Sequence, residues 1–270
     1  MTTRDTLHFP PSERAWLVPF LPSAAAPTAS RPHVTLTFAT SLDSALSIAP
    51  GTQTPLSGPQ SKAMTHFLRS THDAILIGAG TAVADDPSLN CRLEGTGGYG
   101  GGALHGQPRP VVVDPQCRWQ VGPESKVIRL AREGRGMAPW IITATEPSET
   151  KAEVLRAAGG EYIVLPSREQ GGTQTIPWAT IFEELQRRKI MSVMIEGGGA
   201  VINSLLSSFN THLIDSVIVT IAPTWLGLGG VVVSPPRTVE HGRELSPVTR
   251  LKHTQWHQLG DDVVLCGVLT

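Results

Sequence analysis

The sequence predicts an α/β fold with a mostly parallel central sheet and helices on both faces. Three observations carry that expectation. Short runs rich in Val and Ile recur along the chain and alternate with stretches of helical spacing. One run, AILIG at 74–78, is apolar throughout, as a strand is when helices cover both faces of its sheet. That run and a second one, at 191–195, lead directly into glycine turns.

The elements follow in order. Residues 1–30 are rich in Pro, Ala and Ser and read as a loosely packed arm. Residues 31–270 read as a single domain, without an internal repeat or an interdomain linker. VTLTFA (34–39) is the first strand, rich in β-branched residues. PQSKAMTHFLRSTH (59–72) has helical spacing, with Met64, Phe67 and Leu68 on one face. The strand at 74–78 follows. EGTGGYGGGALHGQ (94–107) reads as a flexible surface excursion. It has no lysine and no Gly-Lys-Ser/Thr ending, so it is not a Walker loop. Strands are expected at 110–114 and 139–145, a helix near 148–158, and a strand at 161–166. PWATIFEELQRRK (177–189) is an amphipathic helix with Pro177 at its start, where a helix tolerates proline. MSVMIEGGGAVINSLLSS (191–208) reads as strand, glycine turn and helix. Strands at 214–223 and 261–269 close the chain.

Composition removes several classes of function. The net charge of −1 lacks the excess of Lys and Arg that a nucleic-acid surface needs. No apolar run reaches the roughly 18 residues of a membrane span, and the N-terminus lacks the apolar core of a secretory signal. Cys91, Cys117 and Cys266 are isolated thiols, read as small buried hydrophobes. Their odd number suits a reducing compartment, and a cytoplasmic location is expected. No metal site is expected. His253 and His257 have the spacing of a helical metal pair, but HTQWHQ leads into a strand-like ending, so they read as surface or hydrogen-bonded histidines.

In open α/β sheets, ligands bind beyond the carboxyl ends of the strands. Two stretches put glycines and polar groups there. In EGGGAVINSLL, Gly197, Gly198 and Gly199 let the backbone approach a ligand without Cβ interference. The helix that follows offers unpaired N–H groups and a positive dipole end, suited to a phosphate or pyrophosphate. A tight strand-to-helix turn is the plainer reading, but three glycines exceed what such a turn needs. Glu196 is either a solvated cap or a hydrogen-bonding partner of the ligand. In GAGTAVADDPSLNCR, the third glycine of a dinucleotide fingerprint is replaced by Val83. Asp85 and Asp86 precede Pro87 and start a turn. Adjacent carboxylates point apart, so a shared-proton dyad is not expected. Arg92 is either half of a surface ion pair or a bidentate phosphate ligand.

FATSLDSALS, MTHFLRSTHDAILIGAGTAVADDPSLNCR, RPVVVD, SVMIEGGGAVINSLL and VVVSPPRTVE occur in this order. Together they resemble the fungal 2,5-diamino-6-ribosylamino-4(3H)-pyrimidinone 5′-phosphate reductases of riboflavin biosynthesis, from about residue 31 to the C-terminus. The resemblance implies a dihydrofolate-reductase-like fold, a homodimer and NADPH as hydride donor. It maps cofactor contacts onto Ala39, Thr81, Asp85 and the run Gly197, Gly198, Gly199, Ala200, Val201 and Ile202. It maps substrate contacts onto Leu89, Arg92 and Glu196. Asp43, in SLD, is the candidate proton donor, with water as the other. Related bacterial enzymes carry Gly after that aspartate, whereas this chain has Ser44. A zinc deaminase signature is absent, so no deaminase activity is expected. The competing readings are a dihydrofolate-reductase-like pterin reductase and a non-catalytic NADPH-binding protein.

Overall fold

The computed structural model describes residues 6–23, 30–170, 172–235, 237, 239–240, 243–244 and 249–269. In chain order its elements are β1 (His33–Thr40), β2 (Ala45–Ser47), α1 (Pro59–Ser70), β3 (Ala74–Gly78), α2 (Ala79–Asp85), β4 (Arg109–Val113) and α3 (Lys126–Arg132). Then come β5 (Trp140–Thr143), α4 (Glu149–Ala157), β6 (Glu161–Val164), β7 (Arg168–Gln170), β8 (Thr173–Thr175), α5 (Trp178–Arg187), β9 (Ser192–Glu196) and α6 (Gly199–Leu205). The last are β10 (Ser216–Ile221), β11 (Val231–Val232), β12 (Val239–Glu240), β13 (Arg243–Glu244), β14 (Leu251–Leu259) and β15 (Asp262–Leu269).

Nine strands form one sheet in the order β14-β15-β10-β1-β9-β3-β4-β5-β6. From β10 to β6 all pairings are parallel; β15 and β14 add antiparallel neighbours at one edge. The expected mostly parallel sheet is present. β1 lies between β9 and β10, both added late in the chain. The ends of β1, β9 and β3 therefore stand side by side where the strand order reverses, which is where such sheets open a crevice.

Helices cover both faces because the strand residues alternate between two cores. On one face Val34, Leu36, Leu76, Val193 and Ile195 pack on Ile181, Phe182 and Leu185 of α5 and on Ile202 and Leu205 of α6. On the other, Ile75, Ile77, Val112 and Ile141 meet Val127 and Ile128 of α3 and Leu155 of α4. Beside them Met194, Ile218 and Val264 meet Met64, Phe67 and Leu68 of α1. The N-terminal segment packs where a loose arm was expected: Phe9, Leu17 and Phe20 are buried in that third cluster. These three large side chains outweigh the Pro/Ala/Ser composition of their neighbourhood. Residues 1–5 and 24–29 of the expected arm lie outside the described residues.

Five elements lack a clear sequence signal. α2 and α3 have seven residues each, too few for a helical period to stand out. β2 and β11 pair as a short ribbon beside the glycine turn. β14 is exposed along most of its length and carries KHTQWHQ, with no alternation of apolar and polar residues. His253 is exposed on β14, and His257 stacks on Trp16 with Glu13 3.3 Å from its Nε2. Cys91 and Cys266 are buried as expected, while Cys117 is half-buried.

Candidate functional site at the strand ends

β9 ends at Glu196 and α6 begins at Gly199, so the turn between them is two residues long. A Cβ on Gly197 would stand 2.6 Å from the Cβ of Val201, and one on Gly199 would stand 2.4 Å from Val231 Cγ1. These two glycines answer to the protein's own packing rather than to a ligand. Gly198 differs. A Cβ there would meet Thr81 Oγ1 at 2.9 Å, across from the first turn of α2. The structure thus brings together Gly198 and Thr81, which are far apart in sequence, with the Thr81 hydroxyl directly against the glycine. Val201 and Ile202 are buried in the core and Ala200 is exposed. This segment therefore offers a ligand its backbone N–H groups, which the first turn of a helix leaves unpaired. Ala39 is half-buried near the end of β1, opposite Thr220 of β10. Asp85 closes α2 and is half-buried; burial raises its carboxyl pKa, opposed by the charge of Lys126.

Glu196 is not a solvated cap. Arg69, in the last turn of α1, grips it with Nε to Oε1 at 2.7 Å and Nη2 to Oε2 at 2.6 Å. Burial works against the guanidinium charge, but Glu196 outweighs it, and the pKa of Arg69 is held above the ordinary arginine value. The remaining arm of Arg69, Nη1, donates to the carbonyl of Asn90 at 2.9 Å. Arg69 thus ties the end of β9 to the stretch that carries Leu89 and Arg92. The sequence reading passed over Arg69, because an arginine near a helix C-terminus is ordinary there.

The Asn90–Arg92 backbone is fixed on every side. His66 Nδ1 accepts the N–H of Arg92 at 2.9 Å, which makes it the Nε2–H tautomer. Burial, helped by Arg69, Arg92 and Lys62, pushes the His66 pKa down to about 2, so the ring stays neutral and keeps this bond. Gln107 accepts from Cys91 N–H at 2.8 Å and donates back to its carbonyl at 2.7 Å. Leu7 donates to the carbonyl of Arg92 at 2.8 Å. Gln107 ends the glycine-rich loop, which is compact rather than a flexible excursion. Gly97 N–H bonds to the carbonyl of His105 at 2.7 Å, and Thr96, Tyr99 and Gln107 are buried. Gly97 and Gly101 are needed there because a Cβ would strike the Ala103 and Gly95 carbonyls. Leu89 has φ 51 and its side chain is 2% exposed, packed in the core. Its side chain is therefore closed to a ligand. Asp85 and Asp86 do not form a dyad: the Asp86 carboxylate caps α3 by accepting Lys126 N–H at 3.2 Å.

Asp43 is committed elsewhere. Its carboxylate accepts Ser41 Oγ at 2.5 Å and the N–H groups of Leu226 at 3.1 Å and Gly227 at 2.8 Å. These bonds lower its pKa to about 2, so it stays ionised. An ionised, fully engaged carboxylate does not donate a proton; Asp43 instead pins the loop after β10 to the loop after β1. Ser44 next to it has φ 61, the conformation that suits glycine. Among the described residues no cluster of His, Cys, Asp or Glu could hold a metal ion, and no helix is long and apolar enough to cross a membrane.

Comparison with known proteins supplies the family. The RibD C-terminal domain matches residues 32–265. The 2,5-diamino-6-ribosylamino-4(3H)-pyrimidinone 5′-phosphate reductase of Debaryomyces hansenii is 38% identical over 262 residues, covering 96% of this chain and 97% of that protein. The protein of the same name in Candida glabrata is 40% identical, covering 88% and 90%. The solved structure of the Saccharomyces cerevisiae riboflavin biosynthesis reductase Rib7 superposes with a TM-score of 0.73 at 34% identity, over 95% of this chain and 99% of that one. Acinetobacter baumannii RibD shares the fold, with a TM-score of 0.68 at 22% identity over 90% of this chain and 59% of that one. The strand ends of β1, β9 and β3 thus lie in a chain that belongs to the RibD C-terminal domain family, among its riboflavin-biosynthesis reductases.

Proposed function

We propose that the chain reduces 2,5-diamino-6-ribosylamino-4(3H)-pyrimidinone 5′-phosphate to the ribitylamino compound with NADPH. One observation carries this reading: Gly198 and Thr81 stand side by side at the glycine turn, while Glu196, two residues before Gly198, is fastened through Arg69 to the Asn90–Arg92 segment. A dinucleotide cradle and a polar clamp meet at the end of one strand.

The turn fits the proposed cofactor: Gly197 and Gly198 are partly exposed and Ala200 is exposed, so the backbone there is open to a diphosphate. The N–H groups of Gly199, Ala200 and Val201 hold the diphosphate, with Thr81, Asp85 and Ala39 along the nucleotide. When bound, NADPH supplies a hydride. The substrate's ribosylamine opens by cleavage of the bond from C1′ to the ring oxygen, leaving an imine between C1′ and nitrogen. Reduction of that imine at C1′, with a proton taken up at the nitrogen, would give the ribitylamino product. Glu196, Leu89 through its backbone, and Arg92 orient the substrate, and that alignment is the protein's main contribution. With Asp43 ionised, water supplies the proton, and Asp43 serves as a positioning residue for the neighbouring loops.

The working unit is a homodimer. β14 supports this: it is an edge strand of nine residues with Trp256 62% exposed, the kind of edge that a second chain covers. Light scattering should give twice the chain mass, and a monomer across a wide concentration range removes this part. The reaction is placed in the cytoplasm, where the thiols of Cys91, Cys117 and Cys266 stay reduced. The function itself is tested by NADPH oxidation. Turnover should require the ribosylamino-pyrimidine phosphate. Turnover with dihydrofolate instead assigns a pterin reductase, and NADPH binding without any turnover assigns a non-catalytic protein.

A further inference from the structure

Residues 224–230 follow β10 at the carboxyl edge of the sheet, beside the loop that follows β1. They read TWLGLGG and carry no charge. Trp225 is 73% exposed, and Leu228 stands fully in water. Leu42 after β1, Ile48 after β2 and Val232 in β11 are exposed as well. The backbone ties these five apolar side chains into one flap. Leu42 N–H donates to the Thr224 carbonyl at 2.8 Å, Val232 pairs with Ala45, and Gly230 lies against the Ser47 carbonyl. The Asp43 carboxylate, holding the N–H groups of Leu226 and Gly227, fastens the two loops to each other. An exposed apolar cluster of this kind marks a surface that is covered in use.

Its place in the fold says what covers it. The flap rises from the ends of β1 and β10, at the edge of the sheet where ligands bind. It is also built onto the glycine turn. Val231 stands against Gly199, and Asn203 of α6 holds the strand on both sides, donating to the Val232 carbonyl at 2.9 Å and accepting Ser234 N–H at 2.7 Å. At its tip Gly227 and Gly229 have φ 82 and 94, and nothing lies within 4 Å of their Cβ positions, so Trp225 and Leu228 flank open space.

We propose that the two loops form a lid, and that Trp225 and Leu228 close over the dinucleotide bound at the glycine turn. The lid rests on the proposed function for its occupant and for its use. An imine open to bulk water hydrolyses, so an uncharged apolar cover that limits water at the sugar carbon protects it until it is reduced. Asp43 acts as the tie that makes the loops after β1 and β10 move together.

Acrylamide quenching of tryptophan fluorescence tests the lid on the full chain. The chain has six tryptophans, so Trp225→Phe supplies the background, and the difference from the wild type reports Trp225 alone. Trp225 should be quenched freely in the ligand-free protein. Saturation with NADP⁺, which cannot reduce the substrate, should remove most of that quenching. Trp225→Ala and Leu228→Ala should melt with the wild type, because both side chains are exposed. Each should release NADP⁺ about tenfold faster, the scale of one large apolar side chain left unburied. Equal quenching of Trp225 with and without saturating NADP⁺ overturns the lid, as do variants that release NADP⁺ at the wild-type rate. Shielding that needs no ligand and grows with protein concentration also overturns it, and gives the surface to a second copy of the chain. Failure of the reductase reading is separate: the wild-type protein then does not turn over the pyrimidine, while shielding of Trp225 by NADP⁺ still supports the lid.

Discussion

Replacing Arg69 by Met keeps the aliphatic stem and removes the guanidinium. Three hydrogen bonds go: two to Glu196, at 2.7 and 2.6 Å, and one to the Asn90 carbonyl at 2.9 Å. Removing one partner of a buried ion pair costs about 3–5 kcal/mol, because the other charge is stranded. Here the side chains of Arg69 and Glu196 are 13% and 21% exposed, so water reaches the stranded carboxylate in part. That puts the cost below this range, at about 2–3 kcal/mol, and the melting temperature should fall by about 4–10 °C. Glu196→Gln strands the cation in the same way. The double variant leaves no uncompensated charge, so it should be no less stable than Arg69→Met alone. The assay is urea unfolding of all four proteins with a common m-value. A coupling energy of about 1.5–2 kcal/mol is expected between the two positions. Additive losses, with coupling below about 0.5 kcal/mol, would show that the pair is an ordinary surface contact, and the strut joining β9 to the Asn90–Arg92 segment would fall with it.

Gly198→Val should abolish NADPH binding in a folded protein, since its side chain would push aside Thr81 Oγ1, 2.9 Å from the Cβ position, and crowd the turn; normal titration with NADPH would reduce the glycine to a turn residue. Ser44→Gly should raise stability by about 1 kcal/mol, because Ser44 sits at φ 61; an unchanged urea midpoint contradicts this. Asp43→Asn tests the lowered carboxyl. The folded pKa of about 2 lies below the ordinary 3.8, so the charged group stabilises the fold above 3.8 and that contribution is lost as pH falls toward 2. Between those values the wild-type protein should lose stability more steeply than Asp43→Asn; parallel curves would show that the bonds to Leu226 and Gly227 do not hold the loop.

The sheet was legible because β3, β4 and β9 are apolar at nearly every position, a pattern that only a strand covered on both faces sustains. β14 was not, because both of its faces are exposed and nothing selects an alternating pattern. The glycine turn was legible as a site, but the reason for its three glycines was not: Val201 and Val231, which crowd two of them, come near only in the fold. Arg69 escaped for the same reason. Its partners, Glu196 and the Asn90 carbonyl, lie far away in sequence, and no local spacing announces them. Phe9, Leu17 and Phe20 were each visible, yet a proline-rich setting hid that they pack together over α1.

The central claim is that the crevice at the ends of β1, β9 and β3 aligns NADPH with the sugar carbon of a ribosylamino-pyrimidine phosphate. Isotope transfer tests it most directly. With NADPH carrying deuterium at both C4 positions of the nicotinamide, NMR of the isolated product should show one deuterium, on C1′ of the ribityl chain. Product without deuterium at C1′, or with the label on a carbon of the pyrimidine ring, would contradict the account.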